Sequence, residues 1–216
     1  MMIRVLLADD HQLLIDGLRT LLERQRSFEV IGIARDGLEA VQIARDQAPD
    51  VILLDISMPR LNGVDAARRI LRHHPDVKII MLSMHDDRRF IRESMRVGAR
   101  GYILKESAVG EVIEAIRAVH KGRLYFSETV REQVLHDYVE GVRADDDPST
   151  SPLSGREREV LQILTEGRST KDAAAILNVS VKTIESHRKQ IMDKLDLHSM
   201  AELTKYAIRE GITQLR

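Results

Sequence analysis

Apolar runs and helical stripes alternate through the first 120 residues. Residues 3–8 (IRVLLA) are apolar at nearly every position, the pattern of a strand covered on both faces. Residues 12–24 then carry Leu14, Leu18, Leu21 and Leu22 at helical spacing. The pair recurs four times. A strand-like 28–34 precedes a helical 37–47, and the continuous run 51–54 precedes a helical 64–73 that ends before Pro75. A strand-like 77–82 precedes a helical 86–97, and the short run 101–104 precedes a helical 108–120. Such alternation implies parallel βαβ units with right-handed crossovers, so the pattern predicts an α/β, doubly wound, five-strand parallel sheet.

Beyond residue 122 the alternation stops. Residues 127–140 have helical spacing through Val130, Val134, Leu135 and Tyr138, and predict a linker helix. Residues 141–152 (GVRADDDPSTSP) are polar, acidic and turn-rich, the composition of a flexible tether. From Leu153 onward no strand signal remains. Four short helices are predicted over 154–166, 170–177, 181–195 and 199–210, an all-α second domain. The expected organisation is a first domain over 1–122, a partly helical linker over 123–152 and a helical domain over 153–216.

Composition narrows the function classes. At 216 residues and 43% apolar content the chain can bury two modest cores. It has no Cys, which excludes a disulfide framework and a thiolate metal site. No apolar run approaches a membrane span, and the first strand begins too early for a signal peptide, so no membrane partner and a cytoplasmic location are expected. Net charge is −1, with an asymmetry: residues 148–216 hold 11 Lys+Arg against 9 Asp+Glu, leaving 22 against 25 upstream. That mild basicity is too small to argue for nucleic acid alone.

The chemistry sits where the strands end. Asp9 and Asp10 follow the first strand and Asp55 the third; Ser83 follows the fourth, and Tyr102 and Lys105 accompany the fifth. Ligands of open parallel sheets bind outside that edge. Three convergent carboxylates repel one another unless a cation is present, and hard oxygen donors suit Mg²⁺. With Mg²⁺ in place, Asp55 can attack a phosphoryl group as a carboxylate nucleophile, while Lys105 and Ser83 hold the transferred oxygens. The plainer alternative makes Asp10 a helix N-cap, Asp55 a turn residue, Ser83 a cap, Lys105 solvated and Tyr102 a packing residue. Five matching sites at the ends of four strands favour the chemical reading. An aspartyl phosphatase of the haloacid dehalogenase type would need a second Asp two residues after the nucleophile, and position 57 is Ser. The chain is therefore not expected to be an enzyme with an outside substrate.

In the C-terminal part, Ser154 and Glu157 have capping-box spacing, Ser169 or Thr170 can cap the next helix, and Asn178-Val179-Ser180 reads as a tight turn. Two helices joined by a short turn, the second polar on one face, describe a helix-turn-helix. Along 181–195 the predicted apolar stripe is Val181, Ile184, Ile191 and Leu195. On the other face Glu185, Ser186 and Lys189 are candidate base readers. Lys182, Thr183, His187 and Arg188 are better placed for phosphates of double-stranded DNA. A merely solvated face is the alternative, as is a surface for a protein partner.

These motifs resemble a known family. Asp9-Asp10, the segment DISMPRLNG from Asp55 to Gly63, Ser83, and GARGYILK from Gly98 to Lys105 are similar to the receiver domain of two-component response regulators. LSGREREVL, Lys171-Asp172-Ala173-Ala174 and VSVKTIESHR up to Arg188 resemble the LuxR-type DNA-binding domain. Together the chain resembles the NarL/FixJ class. The resemblance implies the sheet order 2-1-3-4-5 and phosphorylation of Asp55 by a sensor histidine kinase. It implies Mg²⁺ held by Asp9, Asp10, Asp55 and the backbone carbonyl of Ser57, and switching through Ser83 and Tyr102. It further implies a homodimer on promoter DNA that acts on RNA polymerase, with Met200, Leu203 and Ala207 as candidates for a dimer contact. The chain departs from the family pattern at Ala173, where Ile is usual, and at Met84, where a small residue is usual. The bulkier Met84 is expected to slow access of small phosphodonors and water.

Overall fold

The computed structural model describes residues 2–84, 87–139 and 152–213. The chain divides into two compact units. The first contains β1 (Ile3–Ala8), α1 (Gln12–Glu23), β2 (Phe28–Ala34), α2 (Gly37–Gln47), β3 (Val51–Asp55), α3 (Gly63–His73), β4 (Lys78–Ser83) and α4 (Arg88–Val97). It continues with β5 (Gly101–Leu104), α5 (Ala108–His120), β6 (Tyr125–Phe126) and α6 (Glu128–Val139).

The strands form one parallel sheet in the order β2-β1-β3-β4-β5-β6. The five expected strands lie in the expected order. The sixth corrects the count: residues 125–126 fall in the stretch that reads as linker. Two residues carry no readable alternation. β6 is held by its backbone, through Tyr125 N–H to Arg100 O at 3.0 Å and Ser127 N–H to Tyr102 O at 3.0 Å. The Ser127 hydroxyl accepts the Leu104 N–H at 3.2 Å and donates to Glu111 at 3.0 Å. Residue 86, where the sequence pattern starts the fourth helix, lies outside the described residues, as does all but the last residue of the tether read over 141–152.

Why the strands are apolar throughout follows from the layers. Val5, Leu7, Val51, Leu53, Ile80, Leu82 and Ile103 form one cluster with Ile15, Leu18 and Leu22 of α1 and Val112, Ile116 and Val119 of α5. The intervening Leu6, Ile52, Leu54, Ile79 and Met81 are equally buried. By the alternation of a strand they face the opposite layer, where α2 and α3 pack on the sheet. Each such side chain contributes roughly 1.5–3 kcal/mol on burial, so a polar residue on either face would be costly.

The second unit comprises α7 (Gly155–Thr165), α8 (Thr170–Ile176), α9 (Val181–Leu195) and α10 (Met200–Arg209). Val160, Leu161, Leu164, Ala173, Leu177, Ile184, Ile191, Leu203, Ala207 and Ile212 form its core. Ser154 with Glu157, Ser169 with Asp172, and Ser199 with Glu202 make capping boxes on α7, α8 and α10. Ser169, not Thr170, therefore caps α8. Asn178 takes the left-handed conformation (φ 52°) in the turn between α8 and α9, and Ser180 caps α9. Among the described residues no helix is long and apolar enough to cross a membrane.

Candidate phosphoacceptor site and recognition helix

The sheet register brings the strand ends level. Ala8 pairs with Leu54, Asp55 with Leu82, and Ser83 with Leu104. Asp9 therefore follows β1 beside Asp55 at the end of β3, and Lys105 follows β5 beside Ser83, whose carbonyl accepts the Lys105 N–H at 2.7 Å. The Lys105 ammonium lies 2.8 Å from Asp9 Oδ2 and 2.8 Å from Asp55 Oδ2. Asp9 and Asp55 are each 1% exposed, Ser83 4% and Lys105 8%, so the ion pairs act in a low dielectric where Coulomb terms are strong.

The turn after β3 fixes Asp55. Asn62 caps α3 by accepting the Asp65 N–H, and Gly63 donates to Ile56 O at 2.8 Å. A Cβ on Gly63 would sit 2.0 Å from the Asp55 carbonyl oxygen, so only glycine lets α3 begin this close to the strand end. The Ser57 N–H donates to Asp55 Oδ1 at 3.2 Å.

Burial and the charge of Asp9 push the Asp55 carboxyl up to about 6, against the lowering effects of Lys105 and the Ser57 N–H. A site that penalises negative charge in this way fits a cation. Ligand atoms of Asp9, Asp10, His11 and Asp55 all lie within 4.8 Å of one another. The carboxylates supply the hard oxygen donors that Mg²⁺ takes. Asp10 and Asp55 thus lie close enough to share one ion. His11 was not singled out by residue type or spacing. It is the N-cap residue of α1, yet its side chain makes no capping hydrogen bond. Its Nδ1 lies 2.9 Å from Asp9 Oδ1 and 3.1 Å from Asp10 Oδ1. Asp10 precedes that cap position, so the plainer reading of Asp10 as the N-cap does not hold.

Tyr102 is fully buried within β5, paired in register with Met81 and Phe126. Met84 is 65% exposed at the mouth of the β4 end.

In the second unit Lys182, Glu185, Ser186, Lys189 and Gln190 of α9 are exposed, while Thr183, His187 and Arg188 are half-buried. The Thr183 hydroxyl is engaged with Ser180 Oγ at 2.8 Å. Ile184 and Ile191 are buried, but Val181 is 40% exposed and does not belong to the stripe assigned from spacing. It stands in the first turn, beyond the reach of the core. Leu203 and Ala207 of α10 are fully buried in the unit's own core, with Met200 packed against it. The dimer contact assigned by resemblance is thus corrected for Leu203 and Ala207, while Met200 stays partly exposed: helical spacing marks an apolar stripe without saying which partner covers it. The exposed face of α10 carries Ala201, Glu202, Lys205 and Arg209.

Burial acts to raise the Glu157 pKa, and hydrogen bonds from Lys194 and Ser154 outweigh it, holding the carboxylate below its ordinary value. Lys194 Nζ meets Glu157 Oε2 at 2.8 Å and joins the start of α7 to the end of α9.

Known proteins match both units. The profile of the response regulator receiver domain matches residues 5–117, and that of bacterial regulatory proteins of the luxR family matches residues 151–207. The transcriptional regulatory protein MctR of Rhizobium johnstonii is 40% identical over 97% of this chain and 95% of its own length. The response regulator UvrY of Escherichia coli is 39% identical over 98% of this chain and 96% of its own. Among solved structures, RcsB of Salmonella enterica serovar Typhimurium, bound to a promoter with the phosphomimetic BeF3−, is 28% identical. It aligns with a TM-score of 0.61 over 98% of this chain and 99% of that one. With a receiver in the first unit and a LuxR-type helix-turn-helix in the second, this chain belongs to the NarL/FixJ class of two-component response regulators.

Proposed function

We propose that this chain is a phosphorylation-switched transcription regulator in which Asp55 accepts a phosphoryl group from a sensor histidine kinase. The observation that carries the reading is the pair of 2.8 Å contacts from Lys105 Nζ to Asp9 and Asp55. They set a fixed positive charge beside a buried carboxylate at the open end of the sheet, where transferred oxygens would need it. Mg²⁺ held by Asp9, Asp10 and Asp55, with the Ser57 carbonyl, would offset their repulsion and supply charge to the phosphoryl oxygens.

An Asp55 oxygen bonds to phosphorus as the donor's N–P bond breaks, leaving an acyl phosphate. Lys105 holds one phosphoryl oxygen. Ser83 reaches a second with its hydroxyl, and Tyr102 adjusts within the sheet as Ser83 moves. Met84 restricts access of small phosphodonors and water. The chain acts as an acceptor that dephosphorylates itself, without an outside substrate.

Residues 1–122 form the phosphoacceptor domain, 123–152 connect it onward, and 153–216 bind double-stranded DNA as a homodimer in the cytoplasm, acting on RNA polymerase. Lys182, Thr183, His187 and Arg188 meet phosphates. Glu185, Ser186 and Lys189 face base edges. RcsB, to which this chain is similar, is solved bound to DNA, which supports a DNA-binding role for this chain.

The test treats wild type and Asp55→Asn with acetyl phosphate and Mg²⁺, then measures mass, dimerisation and affinity for promoter DNA. Wild type should gain one phosphoryl group, dimerise and bind DNA at least about tenfold more tightly through the effective concentration of the second domain. Asp55→Asn should do none of these. An equal response from both proteins overturns the proposal.

A further inference from the structure

We propose that His11 is a nitrogen ligand of the cation site, making that site prefer borderline divalent ions such as Mn²⁺ or Co²⁺ over Mg²⁺. The inference rests on the cation reading of the Asp9-Asp10-Asp55 pocket and adds to it a ligand of different chemistry.

Geometry carries it. Metal–ligand bonds of about 2.1 Å in an octahedral site put neighbouring ligand atoms about 3.0 Å apart and opposite ones about 4.2 Å apart. His11 Nδ1 lies 2.9 Å from Asp9 Oδ1 and 3.1 Å from Asp10 Oδ1, the spacing of neighbouring ligands. All four ligand atoms, including that of Asp55, fall within 4.8 Å of one another. The imidazole is free of the task its position would suggest, because as N-cap residue of α1 it caps no backbone N–H. The His11 backbone N–H instead donates to Asp9 Oδ1 at 2.8 Å, which holds the residue beside the pocket.

Chemistry points the same way. Nδ1 faces two carboxylate acceptors and, at 3.3 Å, the ammonium of Lys105. A cation placed among Nδ1 and the two carboxylates would draw on the imidazole lone pair and both acids together. Asp9 Oδ2 and Asp55 Oδ2, both buried, have the Lys105 ammonium at 2.8 Å as their partner among the described residues. They leave the pocket rich in donor oxygens. Imidazole binds Mn²⁺, Co²⁺ and Zn²⁺ better than Mg²⁺, which favours carboxylate, carbonyl and water. The 58% exposure of the His11 side chain leaves a path for the ion.

The experiment uses the full chain with Mn²⁺ or Mg²⁺ as the only added ion. Electron spin echo modulation of bound Mn²⁺ reads directly bonded ¹⁴N, and calorimetry gives affinities for both ions in wild type, His11→Gln, His11→Asn and Asp10→Asn. Wild type should show imidazole ¹⁴N coupling that both His11 variants lose while Mn²⁺ remains bound. Those variants should lose about tenfold or more in Mn²⁺ affinity and less than about threefold in Mg²⁺ affinity. Asp10-dependent Mn²⁺ binding without ¹⁴N coupling, or equal weakening of both ions, overturns the role of His11 alone. Absence of any Asp10-dependent ion binding overturns the cation reading with it.

Discussion

Asp55 is a carboxylate pulled in opposite directions. Burial and the neighbouring Asp9 disfavour its charge, Lys105 and the Ser57 N–H favour it, and the balance sets its pKa at about 6. The same imbalance has a thermodynamic consequence. A carboxyl whose folded pKa lies above its unfolded value of 3.8 binds its proton more tightly in the folded chain. The stability so gained is fully present below about pH 4 and is lost as pH rises through about 6. At pH 7 without metal, the protein therefore carries an ionised group that the fold disfavours. Asp55→Asn should remove that burden, raising the melting temperature in chelator at pH 7 by roughly 3–8 °C. The difference should vanish by pH 4. Thermal melts of the two proteins at both pH values check the sign; equal melting at pH 7 would contradict the balance described.

At the scale of elements, two glycines in similar helical contexts should behave oppositely. Gly63 opens α3 with its Cα against the Asp55 carbonyl, and a Cβ there would meet that oxygen at 2.0 Å. Gly17 lies within α1 with nothing within 4 Å of where its Cβ would be. Gly63→Ala must displace either α3 or the strand end, so it should lose stability by about 3 kcal/mol or more and abolish phosphoryl acceptance. Gly17→Ala should gain about 1 kcal/mol, because alanine loses less backbone entropy in a helix. Urea denaturation of both variants decides between them. What the sequence made legible follows the same logic of local cause. The long strands announce themselves because both faces are covered, and Ser154 with Glu157 announces a cap through a fixed three-residue offset. β6 does not, because Tyr125 and Phe126 owe their strand geometry to carbonyls of Arg100 and Tyr102 far back in the chain. Asp9, Asp55, Ser83 and Lys105 were readable from strand ends. His11 was not, since a histidine before a helix looks like any surface residue until its Nδ1 is placed among the acids. Leu203 and Ala207 show the reverse failure. Their apolar spacing was plain, but spacing cannot separate a unit's own core from a second copy.

For the molecule as a whole, charge must decide how the two units are used together. Residues 148–216 exceed neutrality by only 11 basic against 9 acidic groups, and Glu185 stands among the exposed positions of α9. A single copy therefore has little general attraction for a polyanion, and affinity has to come from pairing two copies on adjacent half-sites. On the proposed reading, dimer formation is then the step at which phosphorylation acts. Two of the lysines of α9, Lys182 and Lys189, separate the components of that binding. Lys182, exposed in the first turn, is proposed to meet a phosphate, so Lys182→Ala should weaken binding to all sequences alike. It should also lower the slope of log K against log salt by about 1 per protomer, or about 2 for the dimer. Lys189, two turns on and also exposed, is proposed to face base edges. Lys189→Ala should cost about 1–3 kcal/mol per half-site on the preferred sequence and relax discrimination at one base position. Salt titrations of promoter and scrambled duplexes with the phosphorylated protein measure both quantities. If Lys189→Ala weakens the two duplexes equally, α9 grips the backbone without reading it, and specificity must be sought in the deformability of the DNA.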